Sequence, residues 1–167
     1  IILTSERLIL IASEDMNIID VVINNYGKKF ESIRSFVMMI LLATTKRYLK
    51  YLKTLNINII RAEAKLRKTQ SNQELINLME IEKSLVYFTT SLKGNQMVME
   101  RLLSGKLSEN EDEKDFIRDV IIENNQALEM SQLYGSIVDS LTSAFSSIIS
   151  NNLNIVMKAL AALTIIL

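Results

Sequence analysis

Over residues 28–68 the apolar positions fall at helical intervals: Phe36, Met39, Ile40, Tyr48, Tyr51, Leu52, Leu55, Ile59, Ile60 and Leu66. Steps of three and four place them along one helix face. The same spacing resumes over 72–103 with Leu75, Leu78, Met79, Leu85, Phe88, Leu92, Met99 and Leu102. Between the two runs lies Thr69-Gln70-Ser71-Asn72, a polar turn short enough to make the helices an antiparallel pair. Ser104-Gly105 closes the second helix, and 107–111 is a polar connector. A third helix starts in the acidic cluster Glu111, Asp112, Glu113 and Asp115, which suits the positive end of a helix dipole. From there to residue 167 there is no Pro and one Gly, Gly135. A helix over 112–167 is roughly 80 Å long at 1.5 Å per residue. That length points to a coiled coil, a repeat or a helix entering a membrane.

The N-terminus has a different rhythm. Residues 1–4 and 7–12 are rich in β-branched and large apolar side chains and flank Ser5-Glu6, which predicts a β-hairpin. Two strands alone are marginal in water, so further strands of the sheet are expected upstream. Ser13, Glu14 and Asp15 then cap a short amphipathic helix carrying Ile18, Ile19, Val22 and Ile23. The fold class is therefore mainly α: a hairpin, a pair of long antiparallel helices and one very long helix.

Composition sharpens this picture. Half the chain is hydrophobic (49%) with no Pro and four Gly, which fits long helices. Nineteen basic and nineteen acidic side chains cancel, which argues against a nucleic-acid binder. With neither His nor Cys, Ser-His-Asp, Cys-His and HExxH chemistry are excluded, as are disulfides and thiolate metal sites; the chain does not read as an enzyme. The run 153–167 is apolar except for Asn154, Lys158 and Thr164. At about 15 residues against the roughly 20 of a membrane span, it is either a buried helix end or a span cut short. Together with the initial Ile1, it suggests a piece of a longer protein, and no signal peptide precedes it.

The long helix carries an unusual strip. Ser136, Ser140, Ser143, Ser147, Ser150 and Asn154 step by four and three, a heptad seam filled with small polar side chains. Apolar residues lie elsewhere, at Ile137, Val138, Leu141, Phe145, Ile148, Ile149 and Val156, and no charge falls between Asp139 and Lys158. Two readings stand: a solvated back face, or symmetric copies arranged around a wet axis. Lys46, Arg47, Lys50 and Lys53, then Arg61, Lys65, Arg67 and Lys68, form basic groups on the first long helix, read either as a patch near a pore mouth or as a solvated face with acids on the partner helix.

The segment Ser150-Asn151-Asn152-Leu153-Asn154-Ile155-Val156-Met157-Lys158-Ala159-Leu160 resembles the S-N-x-x-N-x-x-M-K-x-L signature of the CorA family of magnesium transporters. Phe116-Ile117-Arg118-Asp119-Val120 resembles the F-R-D-V stretch that opens the family's stalk helix, with Ile117 as an extra residue. Ile2-Leu3-Thr4 and Leu8-Ile9-Leu10-Ile11 resemble the last strands of its cytoplasmic α/β domain. The resemblance covers essentially the whole chain.

It implies a homopentameric membrane channel for divalent cations, with Mg2+ both cargo and regulator, cobalt or nickel as further cargo, and no organic cofactor. Residues 1–26 would be the remnant of the α/β domain, 27–105 the helical hairpin, 106–111 a connector, and 112–167 the stalk running into the first membrane helix. This piece would lie on the cytoplasmic side. Asn154 would be the polar ring at the pore mouth, Met157 and Leu160 the narrow apolar gate, and Thr164 the next pore-lining residue, with Ser143, Ser147 and Ser150 lining the stalk below. Asp119 would be the regulatory carboxylate bridged by Mg2+ to a neighbouring subunit, with Glu14 and Asp15 as candidate partners. The family's Gly-Met-Asn motif, which follows the first membrane helix, would fall beyond residue 167. Ser143 stands where the family often carries an acid, and Ala161 where it usually has Thr. Two alternatives remain: a zinc-exporting branch of the same family, and a soluble helical scaffold whose long helix forms a coiled coil with a partner.

Overall fold

The computed structural model describes residues 2–4, 7–12, 17–27, 32–69, 72–104 and 111–166. Strands β1 (Ile2–Leu3) and β2 (Leu8–Ile9) pair antiparallel, Ile2 opposite Ile9 and Leu3 opposite Leu8. Helices α1 (Ile18–Tyr26), α2 (Ile33–Thr69), α3 (Asn72–Ser104) and α4 (Glu111–Ile166) follow, the last one unbroken over 56 residues. The mainly α architecture expected from the periodicity is the one that forms.

Local chemistry sets the element ends. The hairpin closes where Thr4 N–H and the Thr4 hydroxyl both donate to the Arg7 carbonyl, at 2.9 and 3.0 Å. Asn17, just before α1, holds a left-handed φ of 47°, a conformation that Asn tolerates better than most residues. After α1, Gly27 donates to the Ile23 carbonyl at 2.7 Å, and a Cβ there would lie 2.2 Å from that oxygen; the close approach needs glycine. Helix α2 begins at Ile33, later than the apolar pattern suggests, because Ser32 caps it. Ser35 N–H donates to the Ser32 hydroxyl at 3.1 Å, and Ser32 N–H donates to the Ser35 hydroxyl at 3.2 Å. This reciprocal pair satisfies amides left open at a helix start. Helix α4 begins at Glu111 with three acids in its first turn. The expected cap Ser13–Asp15, residues 28–31, Gln70, Ser71 and 105–110 lie outside the described residues.

The chain packs as two compact units. The first comprises Ile1–Leu52 with Phe88–Glu129. In it, Val22 of α1 and Ile40 and Ala43 of α2 form a buried cluster, and Leu8, Leu10, Ile18, Phe36 and Met39 pack against it. That contact gives the two short strands the apolar cover they need. Leu52, Leu92, Met99, Ile117, Val120 and Ala127 are also buried in this unit, together with two polar residues, Thr45 and Asn124. Tyr48 meets Phe88 edge to face with ring centroids 5.1 Å apart.

The second unit comprises Lys53–Tyr87 with Met130–Leu167. Its buried residues are Ile59, Ala62, Leu66, Leu78, Leu85, Val138 and Phe145, plus Ser131. Lys65 of α2 reaches Glu74 of α3 at 3.0 Å across the connection between them.

On each long helix the buried positions repeat every seven residues: Thr45, Leu52, Ile59 and Leu66 on α2; Leu78, Leu85, Leu92 and Met99 on α3; Ile117, Asn124, Ser131, Val138 and Phe145 on α4. A strict seven-residue repeat is the coiled-coil period, 3.5 residues per turn. Burying one such Leu contributes about 2 kcal/mol. Tyr51, Ile60 and Met79, expected on the apolar faces, are 49%, 57% and 57% exposed. Each adjoins a seam residue (Leu52, Ile59, Leu78) and is turned about 100° away from it.

Two tests follow from this packing. Gly94 is exposed in the middle of α3 with open space where a Cβ would go. Gly94→Ala should therefore stabilise the chain by about 0.5–1 kcal/mol in urea unfolding; unchanged or lower stability would contradict the open geometry. Glu74 accepts hydrogen bonds from Lys65 and Asn77, which hold its carboxyl below the ordinary value, with the Lys65 charge adding to them and desolvation opposing. A depressed carboxyl stabilises the fold above its unfolded pKa and loses that contribution as pH falls through the folded one. Glu74→Gln should flatten the acid limb of the pH–stability curve and leave its neutral and alkaline parts parallel to wild type.

Candidate functional site on the long helix

Helix α4 presents two chemically distinct faces. Its inner face is the buried seam, and two of its members are polar. Asn124 donates from Nδ2 to the Leu92 carbonyl of α3 at 3.0 Å. Ser131 donates from its hydroxyl to the Leu85 carbonyl at 3.1 Å. These side chains, with Thr45 on α2, were not singled out by the sequence reading, which looked for apolar seams. Their signal was positional: Asn124 and Ser131 stand seven apart, in phase with Ile117 and Val138.

The outer face carries the Ser/Asn strip. Ser136, Ser140, Ser143, Ser147, Ser150 and Asn154 are all exposed. Ser136 lies two residues from Val138, about 200° around the helix, so the strip faces away from the seam. Three of its hydroxyls bond within the helix. Ser136 donates to the Gln132 carbonyl at 3.1 Å, Ser140 to Ser136 at 2.8 Å, and Ser147 to Ser143 at 2.9 Å. Thr164 does the same to Leu160 at 2.8 Å. A hydroxyl whose proton is given to its own backbone turns its lone pairs outward. The strip is therefore an array of acceptors with no formal charge, chemistry suited to the hydrogens of a hydrated cation's water shell.

Beyond Ser150 every described residue of α4 is exposed, including Leu153, Met157 (67%), Leu160 (56%) and Ile165 (85%). Among the described residues, α4 is the one helix with a stretch long and apolar enough to cross a membrane, judged by length and composition. An apolar surface on all sides of a helix calls for lipid or other helices around it.

At the other end, Asp119 is exposed in the third turn of α4. Arg118 beside it pairs with Asp115, and Lys114 pairs with Glu111 at 2.6 Å. Among the described residues no group of three acids, His or Cys is assembled to hold a metal. Glu14 and Asp15 lie outside the described residues. Of the basic groups on α2, Lys65 pairs with Glu74 of α3 and Arg67 with Glu63 of its own helix at 2.8 Å, the arrangement of a solvated face with acidic partners. An open cleft of about 440 Å3 lies in the first unit against Tyr48, Tyr51 and Phe88.

Comparison with known proteins supplies the context for these faces. The sequence model of the family described as "CorA-like Mg2+ transporter protein" matches residues 1–167. Among solved structures, the chain resembles the CorA magnesium transporter from Methanocaldococcus jannaschii with a TM-score of 0.80 and 23% sequence identity; the match covers 91% of this chain and 50% of that one. The likeness shows a shared fold, and the chain spans about half the length of that protein. No curated protein sequence matches.

Proposed function

The chain belongs to the family of CorA-like Mg2+ transporter proteins, and from that premise we propose that it is the cytoplasmic regulatory and pore-stalk part of a homopentameric divalent-cation channel in the cell membrane. Mg2+ is the first cargo to test, with Co2+ and Ni2+ as competitors. The observation that carries this reading is the outer face of α4: an uncharged strip of outward lone pairs that leads, on the same helix, into an exposed apolar segment.

Five copies of α4 around an axis would turn those strips into a wet lumen. Magnesium sheds its water reluctantly, so acceptors that bind its water hydrogens suit it better than ligands that must replace the waters. A ring of Asn154 carboxamides offers both acceptors and donors to the hydration shell. Met157 and Leu160 would then form apolar rings that close by dewetting, with Thr164 continuing the pore wall. The strip lacks carboxylates, so attraction of cations into the lumen rests on dipoles rather than charge.

Asp119 takes the regulatory role in this reading. A hard divalent cation prefers carboxylate oxygen, and an exposed Asp near the start of the stalk can share Mg2+ with acids of a neighbouring copy, Glu14 and Asp15 being the candidates in this chain. Bound Mg2+ would stabilise the closed symmetric assembly, and its loss would shift the population towards open states.

Two experiments on the full-length protein test the pore and the sensor separately. Asn154→Leu should lower Mg2+ uptake by about tenfold or more, about 1.4 kcal/mol on the barrier, with assembly unchanged by size exclusion; wild-type uptake would refute the pore-mouth role. Asp119→Ala should raise the Mg2+ concentration that protects the protein from protease by roughly 5- to 100-fold, the usual range for one coupled site. An unshifted midpoint would remove Asp119 from the sensor.

A further inference from the structure

Among the described residues of the first unit, two buried polar atoms have no hydrogen-bond partner: the Thr45 hydroxyl oxygen and Asn124 Oδ1. Both residues are 0% exposed. Thr44, its neighbour, donates to the Ile40 carbonyl one turn back at 2.8 Å, the usual outlet for a helical Thr; Thr45 does not use that outlet. Leaving such a group bare costs its full desolvation, so buried hydroxyls and amides find partners.

The packing places the two atoms at one level. Asn124 is fixed beside Leu92 of α3 by its 3.0 Å bond to the Leu92 carbonyl. Tyr48 of α2 is fixed beside Phe88 of α3 by ring contact. Since α2 and α3 run antiparallel, four residues on from Phe88 is Leu92 and four back from Tyr48 is Thr44, next to Thr45. Thr45, Leu92 and Asn124 thus occupy the same layer of the first unit, each at a seam position. With Nδ2 held by Leu92, the Asn124 carboxamide turns Oδ1 elsewhere in that layer.

We propose that Thr45 and Asn124 are partners in a single polar layer, linked through one buried water, and that this layer fixes the register of α4 against α2 and α3. A buried water needs two to four polar contacts, and these two orphaned atoms supply two. The register needs such a device. Seam residues that repeat every seven positions allow a helix to slide by one heptad and still bury apolar side chains. A slide of α4 would put Ile117 or Ser131 at the level of Thr45, leaving the hydroxyl with an apolar neighbour or a shorter one. A single polar layer sets register in coiled coils at some expense in stability. The inference stands on the packing of one chain and does not depend on the channel reading.

A double-mutant cycle on the full chain tests it. Thr45→Val and Asn124→Leu each leave the other group unpaired, so each should lower the thermal midpoint by several degrees. Combined, they should recover most of that loss; additive losses would overturn the pairing. In the amide spectrum, the double variant should show more than one set of signals for residues of the first unit where wild type shows one. A single set would overturn the register role. If Asn124→Leu does not fold, the Asn124 carboxamide signal in Thr45→Val gives the answer: a moved signal supports the shared layer, and an unmoved one refutes it.

Discussion

The structure depends on one constraint, the seven-residue spacing of buried positions on three long helices. A helix has 3.6 residues per turn, so a strict heptad keeps facing its neighbours only if the helices wind gently around one another. Leu52, Ile59 and Leu66 on α2, and Leu78, Leu85 and Leu92 on α3, meet that condition with side chains exposed by no more than 2%. Without that seam the outer face of α4 would have no fixed orientation. The hairpin and α1 depend on α2 as well, because Val22 is buried in a cluster with Ile40 and Ala43 of that helix.

The division of α4 into an inner and an outer face joins fold to function. The inner seam uses side chains that hold α4 to its own chain, including two that donate to backbone carbonyls of α3. In the outer strip Ser136, Ser140 and Ser147 satisfy their own protons internally and leave oxygen lone pairs outward. A face of that kind makes few demands on the chain that carries it. It can serve a water-filled space without weakening the helix beneath it, and the family to which the chain belongs is described as one of Mg2+ transporters.

Much of this was legible in the residues. The absence of Pro, the spacing of Leu78, Leu85 and Leu92, and the β-branched runs around Ser5 were sufficient for the helix pair, the long helix and the hairpin. Two things were less so. Tyr51, Ile60 and Met79 read as core because apolarity alone does not say which of two adjacent residues faces inward; the 3.5-residue period decides that, and it picks Leu52, Ile59 and Leu78. Nothing in the apolar pattern marked Thr45, Asn124 and Ser131, because their burial depends on backbone carbonyls and layers that only the packed helices create. For the candidate site, the strip was visible as a pattern, whereas its hydroxyl geometry was not. Asp119 and Asn154 are exposed, and an exposed side chain leaves no mark on the packing of the chain that carries it.

The strip and the seam share a period. In a straight helix a heptad pattern drifts by about 20° per repeat, so a line of side chains from Ser136 to Asn154 would wander around the helix by roughly 50°. The winding that keeps Ser131, Val138 and Phe145 inward in the second unit cancels the same drift on the opposite side. From Ser136 to Ser147, beside Val138 and Phe145, the Ser/Asn line therefore stays aimed in one direction. A substitution that loosened the seam would blur that aim before it altered a single polar residue.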